Sequence, residues 1–221
     1  MKILFVGNSH TYCNALPFQV RELINAAPGV TPPCEAYMCT TGGRSLDWHS
    51  REVGTLHSIA CVDWDVVVLQ ERTHPFEGRQ ALRDACDRLK PYLDKSGARV
   101  VLYATWAHRD RPEEQEMMET AFASVAREMG SGLAPVSTAW HRVLREAPDI
   151  ELYRDDGSHA APAGTYLAAC VLFGVLTGHS PVGAQGRIEV KGTVLADLAD
   201  AVARRLQDAA WQAVQSAADV R

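Results

Sequence analysis

The stretch Lys2-Ile3-Leu4-Phe5-Val6-Gly7-Asn8-Ser9-His10 decides the fold. Four consecutive apolar residues, Ile3 to Val6, end abruptly in a glycine and a polar triplet. A short unbroken apolar run reads as a strand covered on both faces, which is the habit of parallel sheets. Placed after Met1-Lys2, the run has some of the look of a signal peptide. It is shorter than the roughly 7–15 apolar residues of such a segment, however, and passes straight into Gly7-Asn8-Ser9. A first buried strand is the better reading, and with it a cytoplasmic location.

Outward from this strand, short apolar runs alternate with longer stretches of helical period. Further strands are predicted at Cys34–Cys39, Val66–Gln70, Arg99–Thr105 and Leu133–Ser137. Between them, Leu82, Ala85, Cys86, Leu89 and Leu93 recur at helical spacing, as do Met118, Ala121, Phe122, Val125 and Met129. Gly97 and Gly130 follow these stretches where a left-handed cap is wanted. A nearly all-apolar helix is expected from about Ala163 to Leu176. The tail from Val190 to Val220 reads as a last helix with Leu195, Leu198, Val202, Leu206 and Trp211 on one side. That stripe suits packing on the domain, with a homo-oligomer contact as the alternative. The alternation predicts an α/β fold with a parallel sheet, and 221 residues suit one domain.

Composition narrows the partners. The chain is 47% hydrophobic and 22% charged with a net charge of −5, which argues against a nucleic-acid binder. No run approaches the 18 or so apolar residues of a membrane span. The six cysteines show no CxxC pair and no zinc-type spacing, so reduced thiols and no metal site are expected.

In open parallel sheets, sites form beyond the carboxyl ends of the strands. The loops at those ends are Gly7-Asn8-Ser9-His10-Thr11, Thr40-Thr41-Gly42-Gly43-Arg44, Gln70-Glu71-Arg72-Thr73-His74 and Trp106-Ala107-His108-Arg109. Far along the chain, Arg154-Asp155-Asp156-Gly157-Ser158-His159 precedes the apolar helix. Polar and titratable residues collect at these points. A serine hydroxyl needs an adjacent base to attack a carbonyl, and histidine suits that role near neutral pH. A carboxylate on the far ring nitrogen fixes the useful tautomer and stabilises the imidazolium. Asp156 and His159, three residues apart across Gly157, can meet in one tight turn; Asp155 is the alternative acid. Read singly, Ser9 is equally a helix N-cap, and Asp156 a turn residue.

Taken together, these blocks resemble the SGNH (GDSL-like) hydrolases. Gly7-Asn8-Ser9 after the first strand is similar to the GDS block, with Asn for Asp, and Asp156-Gly157-Ser158-His159 matches the DxxH block. Gly43, or its neighbour Gly42, falls where the second block supplies an oxyanion-hole glycine. The resemblance spans Met1 to about Val182. It implies a three-layer α/β/α, flavodoxin-like fold with a parallel five-stranded sheet. It implies a catalytic Ser9, Asp156 and His159, and an oxyanion hole including the N–H groups of Ser9 and Gly43.

The third block departs from the family's GxND. Gln70 is expected to present the missing side-chain amide to the oxyanion. Around it, Asn8 is expected to hold the Ser9 loop, Glu71 to order Arg44 or Arg72, and Trp106 to form a pocket wall or a core position. Asn8, His10, Glu71, Trp106 and His108 complete the candidate substrate-binding set, with His74 beside them.

The implied activity is hydrolysis of a small-molecule carboxylic ester, without cofactor or metal. The resemblance favours a small acyl group such as acetyl on a carbohydrate or metabolite. A thioesterase or lysophospholipase-type acyl hydrolase shares the same triad. A non-catalytic binding module on this skeleton is the reading from another class, and the missing asparagine is its best support.

Overall fold

The structure, a computed structural model, describes residues 1–28 and 33–218. Five strands form one parallel sheet: β1 (Lys2–Gly7), β2 (Glu35–Thr40), β3 (Val66–Gln70), β4 (Arg99–Tyr103) and β5 (Gly132–Ala134). Their order is β2-β1-β3-β4-β5, so β1 lies inside the sheet with β2 on one side and β3 on the other. The chain leaves β1 in one direction to build β2 and then crosses to the other side to build β3. That reversal opens a crevice at the carboxyl end of β1, where Ser9 sits. The three-layer, flavodoxin-like arrangement implied by the sequence is the one observed.

Alternation along β1 builds both faces. Ile3 and Phe5 enter an apolar cluster with Val66, Val68, Val101 and Tyr103. Leu4 and Val6 enter the opposite one with Val67, Leu69 and Leu102. The short α1 (Ser9–Tyr12) follows β1, and α2 (Leu16–Ala26) supplies Leu16, Val20, Leu23 and Ile24 to the first cluster. The second face is covered by α3 (Leu46–His49), α4 (Val53–Ala60), α5 (Arg79–Ser96) and α6 (Glu114–Met129), through Leu46, Ile59, Leu89 and Phe122. Gly97 and Gly130 end α5 and α6 at φ 67° and 65°, the left-handed caps expected of them. The first face is completed by α7 (Val136–Glu146), α8 (Pro162–Thr177) and the C-terminal α9 (Asp200–Ala218).

β4 ends at Tyr103, two residues short of the expected Thr105, and two boundaries depart further. β5 stops at Ala134 because Pro135 has no amide for the ladder, and Val136 and Ser137 begin α7 instead of ending a strand. The predicted last helix starts ten residues late, since Arg187–Val190 and Thr193–Asp197 pair as an antiparallel hairpin, β6 and β7. Its turn, Lys191-Gly192, has φ 48° and 81°, the positive pair of a two-residue hairpin turn. Leu195 and Leu198 therefore belong to this hairpin and the turn after it. Ala203, Leu206, Ala210 and Ala213 form the buried side of α9, and the predicted end at Val220 lies outside the described residues.

No helix among the described residues is long and apolar enough to cross a membrane.

Candidate active site

The site begins with a glycine that has no room for a side chain. A Cβ on Gly7 would stand 2.5 Å from Gln70 Oε1 and 2.6 Å from the Thr11 hydroxyl. This close approach lets the chain turn out of β1 directly over β3. His49 and Thr41 fix the turn from the other side, the ring donating from Nε2 to the Gly7 carbonyl at 2.9 Å and the amide at 3.1 Å. Asn8 then caps α1, accepting the His10 amide on its side-chain oxygen (3.0 Å) and donating to the Arg44 carbonyl (3.0 Å). Ser9, the first residue of α1, is presented at the crevice.

The second part comes from the loop before α8. The Asp156 carboxylate accepts the amides of Ser158 and His159 on one oxygen, each at 2.9 Å. Its other oxygen accepts from His159 Nδ1 at 2.6 Å. With Nδ1 protonated, Nε2 is free to accept, and the Ser9 hydroxyl donates to it at 2.8 Å. Gly157 makes the turn at φ 68°, and a Cβ there would meet His108 at 3.0 Å. Burial pushes the Asp156 carboxyl up, but the His159 ring and the two amides together outweigh it and hold the group well below the usual carboxylate range. The serine, imidazole and carboxylate thus form one continuous hydrogen-bonded line across 150 residues of sequence. Asp155 has no part in it.

Of the expected oxyanion-hole set, the two backbone donors are unpaired and the side-chain amide is engaged elsewhere. The N–H groups of Ser9 and Gly43 have no hydrogen-bond partner among the described residues. Gly43 is exposed at φ 70° with open space around it. Gln70, expected to donate its amide here, is fully buried. Its oxygen accepts from the Asn8 amide (2.8 Å) and the Thr11 hydroxyl (3.0 Å), and its NH2 donates to the Glu71 carbonyl. The amide lies under the Gly7–Asn8 turn, where Gln70 holds the Ser9 loop instead of presenting its NH2 at the crevice.

Several expected substrate contacts also turn out to be supports. Asn8 is 1% exposed and spends its side chain on the loop. His10 is buried behind His159, the rings stacked 5.2 Å apart at 21°. Glu71 forms no salt bridge with the guanidinium of Arg44 or Arg72; it accepts the amides of Leu46 (3.2 Å) and Arg72 (2.5 Å), tying the Gly43 loop to the end of β3. Arg72 pairs with Glu77 instead, and Arg44 lies over the Trp48 ring. Trp106 is a core position, stacked on Trp140 at 3.8 Å. His108 alone of the five stays on the rim, half-buried beside Gly157.

Burial makes His10 and His74 poor bases, lowering them to about 3 and about 4 respectively. For His10, the rings of His74 and His159 add to the effect. Burial also pushes the Glu71 carboxyl up to about 7, against the pull of its two amides. His49 and Ser158 carried no sequence signal, since the first ends the short α3, away from any strand end, and the second is a spacer within the DxxH block. Among the described residues, no three His, Cys, Asp or Glu side chains are placed to hold a metal ion.

No protein-family model matches the sequence, and no curated protein matches it. Solved structures do. A DUF4886 family protein from Bacteroides uniformis superposes with a TM-score of 0.72 at 19% identity, covering 97% of this chain and 95% of that one. The acetyl xylan esterase AlAXEase gives a TM-score of 0.62 at 19% identity over 78% of this chain and 98% of its own. A member of the lipolytic G-D-S-L family from Veillonella parvula gives 0.60 at 14% identity over 80% and 98%. At these identities the likeness establishes the fold, which is that of the SGNH hydrolases.

Proposed function

We propose that the protein is a serine esterase that hydrolyses a small-molecule carboxylic ester through an acyl-enzyme on Ser9. The observation that carries this reading is the line Ser9 Oγ to His159 Nε2, 2.8 Å, and His159 Nδ1 to Asp156, 2.6 Å. His159 takes the Ser9 proton as the oxygen attacks the ester carbonyl, and Asp156 stabilises the imidazolium. The tetrahedral oxyanion rests on the N–H groups of Ser9 and Gly43. His159 then protonates the departing alcohol, and the same ring activates the water that releases the acid.

The acyl group is a small one, such as acetyl on a carbohydrate or similar metabolite. The support is the resemblance of the Ser9 and Asp156–His159 blocks to SGNH hydrolases and the shared fold of an acetyl xylan esterase. The committed Gln70 amide favours the second reading, a binding module without turnover, because it leaves two backbone donors and no side-chain donor.

One experiment separates the two. Intact mass after treatment with a fluorophosphonate, with the modified peptide mapped, should show a single adduct on Ser9 that is lost in Ser9→Ala and His159→Ala. No adduct between pH 6 and 9 would leave the binding module as the reading.

A further inference from the structure

We propose that Ser158 is a positioning residue for His159, gripped at its carbonyl and its hydroxyl by the loops that follow β3 and β4. The proposal rests on the esterase reading above.

The problem it answers is mechanical. Asp156 is exposed and His159 half-buried, both on a loop, and a base misplaced by about an ångström forfeits much of its effect. Hydrogen bonds within the turn fix the two side chains relative to each other but not relative to Ser9. Ser158, one of the two residues between them, makes that connection. The Ser158 carbonyl accepts from Trp106 Nε1 at 2.9 Å and faces His10 Nε2 at 3.3 Å. The Ser158 hydroxyl meets His74 Nδ1 at 2.7 Å.

The direction of this last bond follows from the other ring nitrogen. His74 Nε2 lies 3.0 Å from the Trp106 carbonyl, which can only accept, so Nε2 carries the proton and Nδ1 accepts from Ser158. A neutral His74 satisfies both partners, in keeping with its lowered basicity. The anchors are rigid. Trp106 is 1% exposed and stacked on Trp140, while His10 is 8% exposed and stacked on His159 itself. The flanking carbonyls are tied as well, Gly157 to the Arg109 amide and His159 to the Arg154 amide, each at 2.8 Å. Ser158 thus transfers the rigidity of the sheet end to a catalytic pair that is itself on a loop.

The test uses Ser158→Ala, Ser158→Thr, His74→Ala and the double Ser158→Ala/His74→Ala. Readouts are p-nitrophenyl acetate hydrolysis, the rate of fluorophosphonate labelling at Ser9, and Tm. Ser158→Ala should lower kcat and the labelling rate about 10-fold, the size expected for one buried hydrogen bond, with KM within about twofold. Ser158→Thr, which keeps the hydroxyl, should recover most of the rate. The double variant should be no slower than the slower single, because the same Ser158–His74 bond is lost in each.

An unchanged kcat in Ser158→Ala, a threonine that fails to rescue, or a rate loss that tracks loss of folded protein overturns the proposal. If His74→Ala does not fold, the alanine and threonine pair at Ser158 decides alone. Failure of the esterase reading looks different: the wild-type protein itself is not labelled at Ser9, and both ideas fall together.

Discussion

Gln70 and Asp156 show how much a single side chain's orientation decides. Gln70 sits at the end of β3, where a donor to the oxyanion would be useful, yet its amide is spent on Asn8, Thr11 and the Glu71 carbonyl. Removing it leaves a buried amide and a buried hydroxyl without acceptors. Gln70→Ala should therefore cost stability, about 1–3 kcal/mol, which for a chain of this size is a fall in Tm of roughly 2–10 °C. A variant with unchanged Tm and a reduced kcat would return Gln70 to the oxyanion hole. Asp156→Asn should behave in the opposite way. The amide can present its NH2 to His159 Nδ1 and impose the wrong tautomer, so kcat should drop by about 10^3–10^4 with Tm nearly constant. Loss of less than tenfold in steady-state hydrolysis would remove Asp156 from the acid–base line. The sequence could nominate both residues because their types and positions after strands were readable. It could not say which way an amide turns, since that depends on the acceptor needs of residues 60 positions away.

Elements were more legible than orientations, and for a physical reason. Burial on both faces writes a strand as an unbroken apolar run, so Val66–Gln70 was predicted with the bounds the structure gives it. The hairpin at Arg187–Asp197 was missed because short, half-exposed strands carry a weak pattern, and its turn uses a lysine at positive φ. The Asp156–His159 turn depends on a contact that no pattern announces. Gly164, in the first turn of α8, would place a Cβ 2.3 Å from the Leu152 carbonyl and 2.5 Å from the Trp140 ring. This close approach seats α8 against α7 and against the segment leading into Asp156. Gly164→Ala must push backbone apart, which typically costs about 1–3 kcal/mol. A fall in Tm of roughly 2–10 °C is expected, read by differential scanning calorimetry. A Tm within a degree of the wild type would show that α8 is free to shift and does not set the position of the turn.

For the molecule as a whole, the buried titratable groups set opposing pH dependences. His10 and His74 are lowered to about 3 and about 4, against about 6.5 in the unfolded chain. Each therefore contributes stability that is complete above pH 6.5 and is lost as the pH falls toward the folded value. His49, lowered by its own burial, acts in the same direction. Glu71 does the reverse. Raised to about 7, it binds its proton more tightly when folded, so its contribution is present below about pH 4.5 and disappears as the pH rises through 7. Between pH 5 and 6 the unfolded chain holds up to two more protons at His10 and His74 and one fewer at Glu71. For these three groups the net difference of about one proton makes stability rise with pH by roughly 1.4 kcal/mol per unit, and His49 adds to the rise. In Glu71→Gln the opposing group is gone, and the slope should steepen whatever the substitution does to absolute stability. Denaturant unfolding of both proteins at pH 5.0, 5.5 and 6.0, at fixed ionic strength, measures this directly. Equal slopes would mean that Glu71 is ionised in the folded state throughout, held by the amides of Leu46 and Arg72. A wild-type stability that falls as the pH rises would mean that His10 and His74 accept protons without unfolding, leaving Glu71 alone to set the slope. The neutral array behind His159 would then break down in acid while the fold survived, and any acid loss of activity would precede unfolding.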